Sequence, residues 1–181
     1  IDAATGEFAA DHPEMIRDAK SPDTPVSLFG VIVKALKLRR DTGIEPFTVL
    51  SCDNLPGNGN VTRQTIVGLA SLSDPELADW IASSVSFPNS MVDRIVPATT
   101  DRERQLVKDN FGINDELPVV CEPFCQWVIE DNFPSGRPHL EKVGVEFVTD
   151  VSGYELMKLR ILNAAHASMC YPALLLGLSL I

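Results

Sequence analysis

The sequence predicts an α/β fold: a doubly wound, mostly parallel sheet with its helices up to about residue 149, then a mostly helical part over 150–181. Three observations carry this. A helix-spaced apolar run (Val26, Phe29, Ile32, Val33, Leu36) leads into a short β-branched run, FTVLSC over Phe47–Cys52, and then into the polar loop DNLPGNGN. Helix, buried strand and polar loop in that order are the cadence of a doubly wound sheet. A second apolar run, Val92 to Val96, repeats the strand signal. From Tyr154 to Leu178 the chain is nearly continuous Leu, Ile, Met and Ala at helical spacing.

Each element has a local reason. Residues 1–24 are polar, with Asp and Pro, and read as loop. Asp23-Thr24 offers a cap and Pro25 a first helical position. Lys37, Arg39 and Arg40 load the last turn of that helix and Gly43 stops it. Val61–Leu72 is helical, and Ser73-Asp74-Pro75-Glu76 restarts a helix through Trp80 and Ile81. Thr100 with Glu103 forms a capping box for a helix over Asp101–Asn110, closed by Gly112. Leu117–Cys121 and Gln126–Glu130 read as two strands, antiparallel across CEPFC, and Val143–Val148 as a further extended segment.

Composition narrows the function classes. The chain has 181 residues, 45% hydrophobic and 22% charged, with a formal charge of −10. That charge disfavours nucleic acid and anionic membrane surfaces as partners. Tyr171–Ile181 is apolar but far short of the ~20 residues of a membrane span. The four cysteines form no zinc-binding spacing and read as free, buried thiols of a reducing cytoplasm. Both chain ends are abrupt, so the sequence reads as the central piece of a longer protein.

Three polar residues interrupt the last helix. With Lys158 at 0°, about 100° per residue puts His166 near 80° and Asn163 near 140°. All three therefore share one side. Burying a cation, an amide and an imidazole is costly without a partner; a snorkelling Lys158 and a satisfied core His166 are the alternative. Asp53 and Asn54 follow the carboxyl end of the first strand, where ligands bind in such sheets, though both residues also shape turns. Asp93 lies within an apolar strand and is either paired or aimed at a ligand. Asn58-Gly59 reads as a turn and not a phosphate cradle, and no G-x-G-x-x-G occurs.

Taken together, SCDNLPGNG (51–59), FPNSMVDRIVP (87–97), CEPFCQWVIED (121–131) and KLRILNAAH (158–166) resemble the polyol-specific long-chain dehydrogenase/reductase family, most closely its mannitol 2-dehydrogenase branch. A lone K-x₄-N-x₂-H would be weak; four motifs in order are specific. The resemblance implies a Rossmann-type cofactor domain, of which 1–149 is the C-terminal part. A helical substrate domain follows, of which 150–181 is the first helix. It implies zinc-independent, NAD-linked (NADP possible) oxidation of a sugar alcohol, D-mannitol, to a ketose, D-fructose, by a cytoplasmic monomer or weak oligomer. It makes Lys158 the general base, and Asn54 and Asn163 the amides holding the reacting oxygen. Asp93 and His166 would position substrate hydroxyls or the base, and Asn54 and Asp93 would also border the cofactor. A lysine serves such a reaction when burial and a neighbouring cation favour its neutral form, and fixed amide donors steady the charge developing on oxygen. A fructuronate- or tagaturonate-type hexuronate reductase is the alternative within the family, and a non-catalytic binding module on this fold is the alternative outside it.

Overall fold

The computed structural model describes residues 8–178. Four helices come first: α1 (Pro13–Lys20), α2 (Leu28–Asp41), α3 (Asn58–Ser71) and α4 (Pro75–Ser84). Strand β1 (Ser90–Asp93), helix α5 (Asp101–Phe111), strand β2 (Gln126–Glu130) and strand β3 (Glu146–Val148) follow. The chain then enters α6 (Ser152–Met157), a π-helical turn over Lys158–Asn163, and α7 (Ala164–Leu175). The main core lies among α1–α4, built on Leu36, Ile66, Leu77 and Ile81, none of which is more than 1% exposed. A smaller cluster of Met91, Val128 and Val151 seats the start of α6 against the sheet.

Several elements follow the local signals. Asp74 caps α4 through its carboxylate and the Leu77 N–H, and Thr100 with Glu103 forms the capping box of α5, which Gly112 ends at φ 68°. Others differ, for reasons that lie in distant partners. The 1–24 loop contains α1. Helix α2 starts at Leu28, not Pro25, because the buried Asp18 carboxylate captures the N–H groups of Val26 and Ser27 and holds that stretch extended. Ser27 then caps Gly30 N–H at 3.0 Å, and Val26 is 48% exposed. Helix α3 begins at Asn58, so the end of the polar loop is helical.

The strands differ more. Phe47–Cys52 forms no ladder among the described residues; Val49 N–H to Ser86 O is its one backbone bond to another segment, and the side chains of Asn58 and Ser90 take the Ser51 carbonyl. Leu117–Cys121 is not a strand. β2 pairs instead with β1, antiparallel, and with β3, parallel. β1 covers 90–93, not 92–96, since beyond Asp93 the Ile95 N–H goes to the Glu122 carboxylate. Of Val143–Val148, the first residue ends a 3₁₀ turn (Leu140–Val143) and 146–148 is strand. All four cysteines are free but exposed, unlike the buried thiols expected.

The long terminal helix forms, but no residue of it from 152 on is buried among the described ones, and Leu174, Leu175 and Leu176 are 75–89% exposed. It is also not uniformly α-helical. The π turn, with its i→i+5 bonding, occupies the segment that carries the polar residues.

Candidate active site

Three pieces of chain meet around Lys158: the loop after residue 51, strand β1, and the α6–π segment. The loop is positioned by α3. Gly57, at φ 63°, turns the chain into that helix, and Gly59 lets it lie against the backbone of Phe87 and Pro88. A Cβ on Gly59 would sit 2.5 Å from both carbonyl oxygens. Asn58, 1% exposed, donates from its amide to Asp53 O at 2.9 Å and Ser90 O at 2.8 Å. Its Oδ1 accepts from Ser90 N–H at 2.9 Å.

Lys158 closes the arrangement. Its ammonium donates to Asn54 Oδ1 at 2.7 Å and to the main-chain oxygen of Val92, and Asp93 Oδ1 is 4.0 Å away. The Lys158 and Asp93 side chains are only 10% and 12% exposed. A small cleft of about 80 Å³ opens beside them, lined by Asn54, Ser90, Met91, Glu155, Lys158, Asn163 and their neighbours. On an α-helix Asn163 would stand about 140° from Lys158. In a helix bonded i→i+5, residues five apart stack on one face. The π turn thus brings Lys158 and Asn163 to the same wall.

The structure therefore brings together Lys158, Asn54, Asp93 and Asn163. His166, on α7, is half-buried and lies outside the cleft lining. Two contributors were not singled out from sequence. Glu155 accepts the Gly57 N–H at 2.9 Å, and Asn58 was read as part of a turn. The signal for Glu155 was its place in the first turn of a helix, where a carboxylate is ordinary; its partner is 98 residues away. At the start of α3, Asn89 Oδ1 also takes the Asn60 N–H at 3.1 Å. Asn58-Gly59, read from sequence as a turn, is the first helical pair of α3. Cys52 borders the loop with its thiol pushed up by partial burial and by the charge of Asp53, which keeps it protonated and a weak nucleophile.

Residues 5–142 match the family described as the mannitol dehydrogenase Rossmann domain. The chain belongs to the mannitol dehydrogenase family. It is 57% identical over 178 residues to mannitol 2-dehydrogenase of Cereibacter sphaeroides, covering 98% of this chain and 37% of that protein. To D-mannonate oxidoreductase of Escherichia coli it is 49% identical, over 97% of this chain and 36% of the relative. The solved structure of Pseudomonas fluorescens mannitol 2-dehydrogenase, a ternary complex with NAD and D-mannitol, is 51% identical; it superposes with a TM-score of 0.87 over 98% of this chain and 36% of its own. The chain thus spans just over a third of the length of these mannitol dehydrogenase relatives. Residues 5–142 are Rossmann domain, as the resemblance implied.

Proposed function

We propose that the protein carrying this chain oxidises a sugar alcohol, D-mannitol, to the ketose D-fructose, and runs the reverse reduction, with NAD as the preferred cofactor and no zinc. The observation that carries the reading is Lys158 Nζ held between Asn54 Oδ1 and Val92 O at the edge of a cleft that Asn163 also lines. A neutral amine keeps two N–H groups and one lone pair. With both N–H groups donated to those two acceptors, the lone pair takes the third position and can accept the proton of a substrate hydroxyl. Asn54, accepting through Oδ1, keeps its Nδ2 to donate to the oxygen on which charge develops, and Asn163 offers a second amide. Asp93 steadies the ammonium that forms, and His166 serves substrate hydroxyls further out.

The residues of the cleft fit the nicotinamide end of the cofactor: the Asn54 amide stands in a lining that also holds Leu55, Pro56 and Met91, and Asp93 would border the ring from behind Lys158. Bound there, the nicotinamide ring supplies the hydride acceptor. Residues 1–149 would form the later part of the cofactor domain and 150–181 the first helix of the substrate domain, a division that the matched range of 5–142 supports.

The 49% identity to D-mannonate oxidoreductase favours a second reading, a substrate that carries a carboxylate. The cleft speaks for the uncharged polyol, because its lining holds two acids, Asp53 and Glu155, and a single cation, Lys158. The test is absorbance at the reduced-nicotinamide band with the full-length protein, offered fructose and fructuronate separately. Oxidation of NADH by fructose, lost in Lys158→Ala, is the expected result. Turnover of fructuronate alone would move the substrate to the second reading. No turnover of either would leave a non-catalytic module.

A further inference from the structure

The two acceptors that hold Lys158 belong to separate stretches of backbone. Asn54 directly follows Asp53 in the loop, and Val92 lies two residues beyond the first residue of β1. Between them runs a single buried side chain. Asn58 grips Ser90 at both its N–H and its C=O, in the manner of a neighbouring strand, and grips the loop at Asp53 O. Ser90 completes the clamp, its hydroxyl donating to Ser51 O at 2.6 Å. The Asn58 amide bonds to more of this backbone than the Ser90 hydroxyl does, and it is 1% exposed, so its bonds form without competition from water.

We infer that Asn58 is a positioning residue for the reaction: it sets the spacing between Asn54 and the Val92 carbonyl, and so aims Lys158. This rests on the reading of Lys158 as the base. An amide is suited to the place because it offers donors and an acceptor on one rigid plane. A hydroxyl is too short to span strand and loop, and a carboxylate would face two carbonyl oxygens. The assignment also accounts for a polar group in the first turn of a helix whose other buried positions are largely apolar or small.

The test compares wild type, Lys158→Ala, Asn58→Ser, Asn58→Asp and Ser90→Ala in the full-length protein. It reads turnover per cofactor-binding site, with sites counted by NADH fluorescence titration and substrate being whichever of fructose and fructuronate the wild type reduces. A merely structural role lowers the number of competent sites and leaves turnover per site alone. The expected result is a fall of roughly ten- to a hundredfold per site in Asn58→Ser, as for a misplaced catalytic group, and a smaller fall in Ser90→Ala. Should Asn58→Ser not fold, Asn58→Asp decides, because it keeps the side-chain shape and an acceptor for the Ser90 N–H but cannot donate to Asp53 O and Ser90 O. Turnover per site within about twofold of wild type, beside an inactive Lys158→Ala, overturns the positioning role and leaves the base standing. An active Lys158→Ala removes the base, and this inference with it.

Discussion

The Glu155 carboxylate accepts the Gly57 N–H at 2.9 Å and thereby ties the helix that carries Lys158 to the loop that carries Asn54. The acceptor sits at the N-terminus of α3, where the helix dipole favours negative charge. Glu155→Ala should lower stability by about 1.5–3 kcal/mol in urea melts, the range of a hydrogen bond to a charged group. Glu155→Gln, which keeps an oxygen for Gly57, should lose less. Equal losses would show that the bond contributes nothing of its own.

Gly59→Ala should destabilise the protein although alanine is the better helix former by about 1 kcal/mol. Its Cβ would stand 2.5 Å from the carbonyl oxygens of Phe87 and Pro88, which are backbone atoms and cannot rotate away. A net loss of about 1–3 kcal/mol is expected, the usual cost of overpacking, and the shift of the denaturation midpoint measures it.

Lys158→Arg separates charge from proton transfer. Arginine keeps the positive charge and the donors for Asn54 and Val92 but does not release a proton at working pH. Oxidation should therefore fall as far as in Lys158→Ala, by about 10²–10⁴-fold. An arginine variant with near wild-type kcat would reject the base.

Asp18 makes the fold sensitive to acid. Burial pushes its carboxyl up, but the Ser27 hydroxyl at 2.5 Å, the N–H groups of Val26 and Ser27, and the charge of Arg17 outweigh that and hold it below its ordinary value. Such a group stabilises the fold fully above the unfolded carboxylate value, about 4, and ceases to do so as pH falls through its lower folded value. Asp18→Asn, left with one acceptor oxygen for three donors, should cost about 1–3 kcal/mol near pH 6. Melts repeated below pH 4 should show the gap to wild type closing. A gap that stays constant with pH would mean that the carboxylate charge is irrelevant.

What could be read from sequence divides along the range of the forces involved. The caps at Asp74 and Thr100 act within three residues, so their signals lie side by side in the chain. The start of α2 was misplaced because its determinant, Asp18, reaches across nine residues to Ser27. Strand pairing was legible least. Gln126–Glu130 has strand character of its own, but its partners are β1 and β3, and nothing local names them. In the site, residue types that are costly to bury marked Lys158 and Asn163. Glu155 and Asn58 escaped, since each is an ordinary residue at a helix start until its partner, 98 or 32 residues off, is known. The geometry of the helix was hidden too: an even 100° step placed Asn163 and His166 beside Lys158, and the π turn favours Asn163 over His166 at the cleft.

A π turn holds one more residue than the α turn it replaces, so the segment Lys158–Asn163 is an α-helix with a single residue to spare. Deleting one residue between Lys158 and Asn163, such as Arg160, would let the backbone relax into a continuous and locally more regular helix. Asn163 would then follow Lys158 by four residues, about 40° around an α-helix, and would stay on the wall it shares with Lys158. The cleft can thus lose the spare residue, but it cannot keep every residue and straighten into an α-helix, which would turn Asn163 about 140° from Lys158.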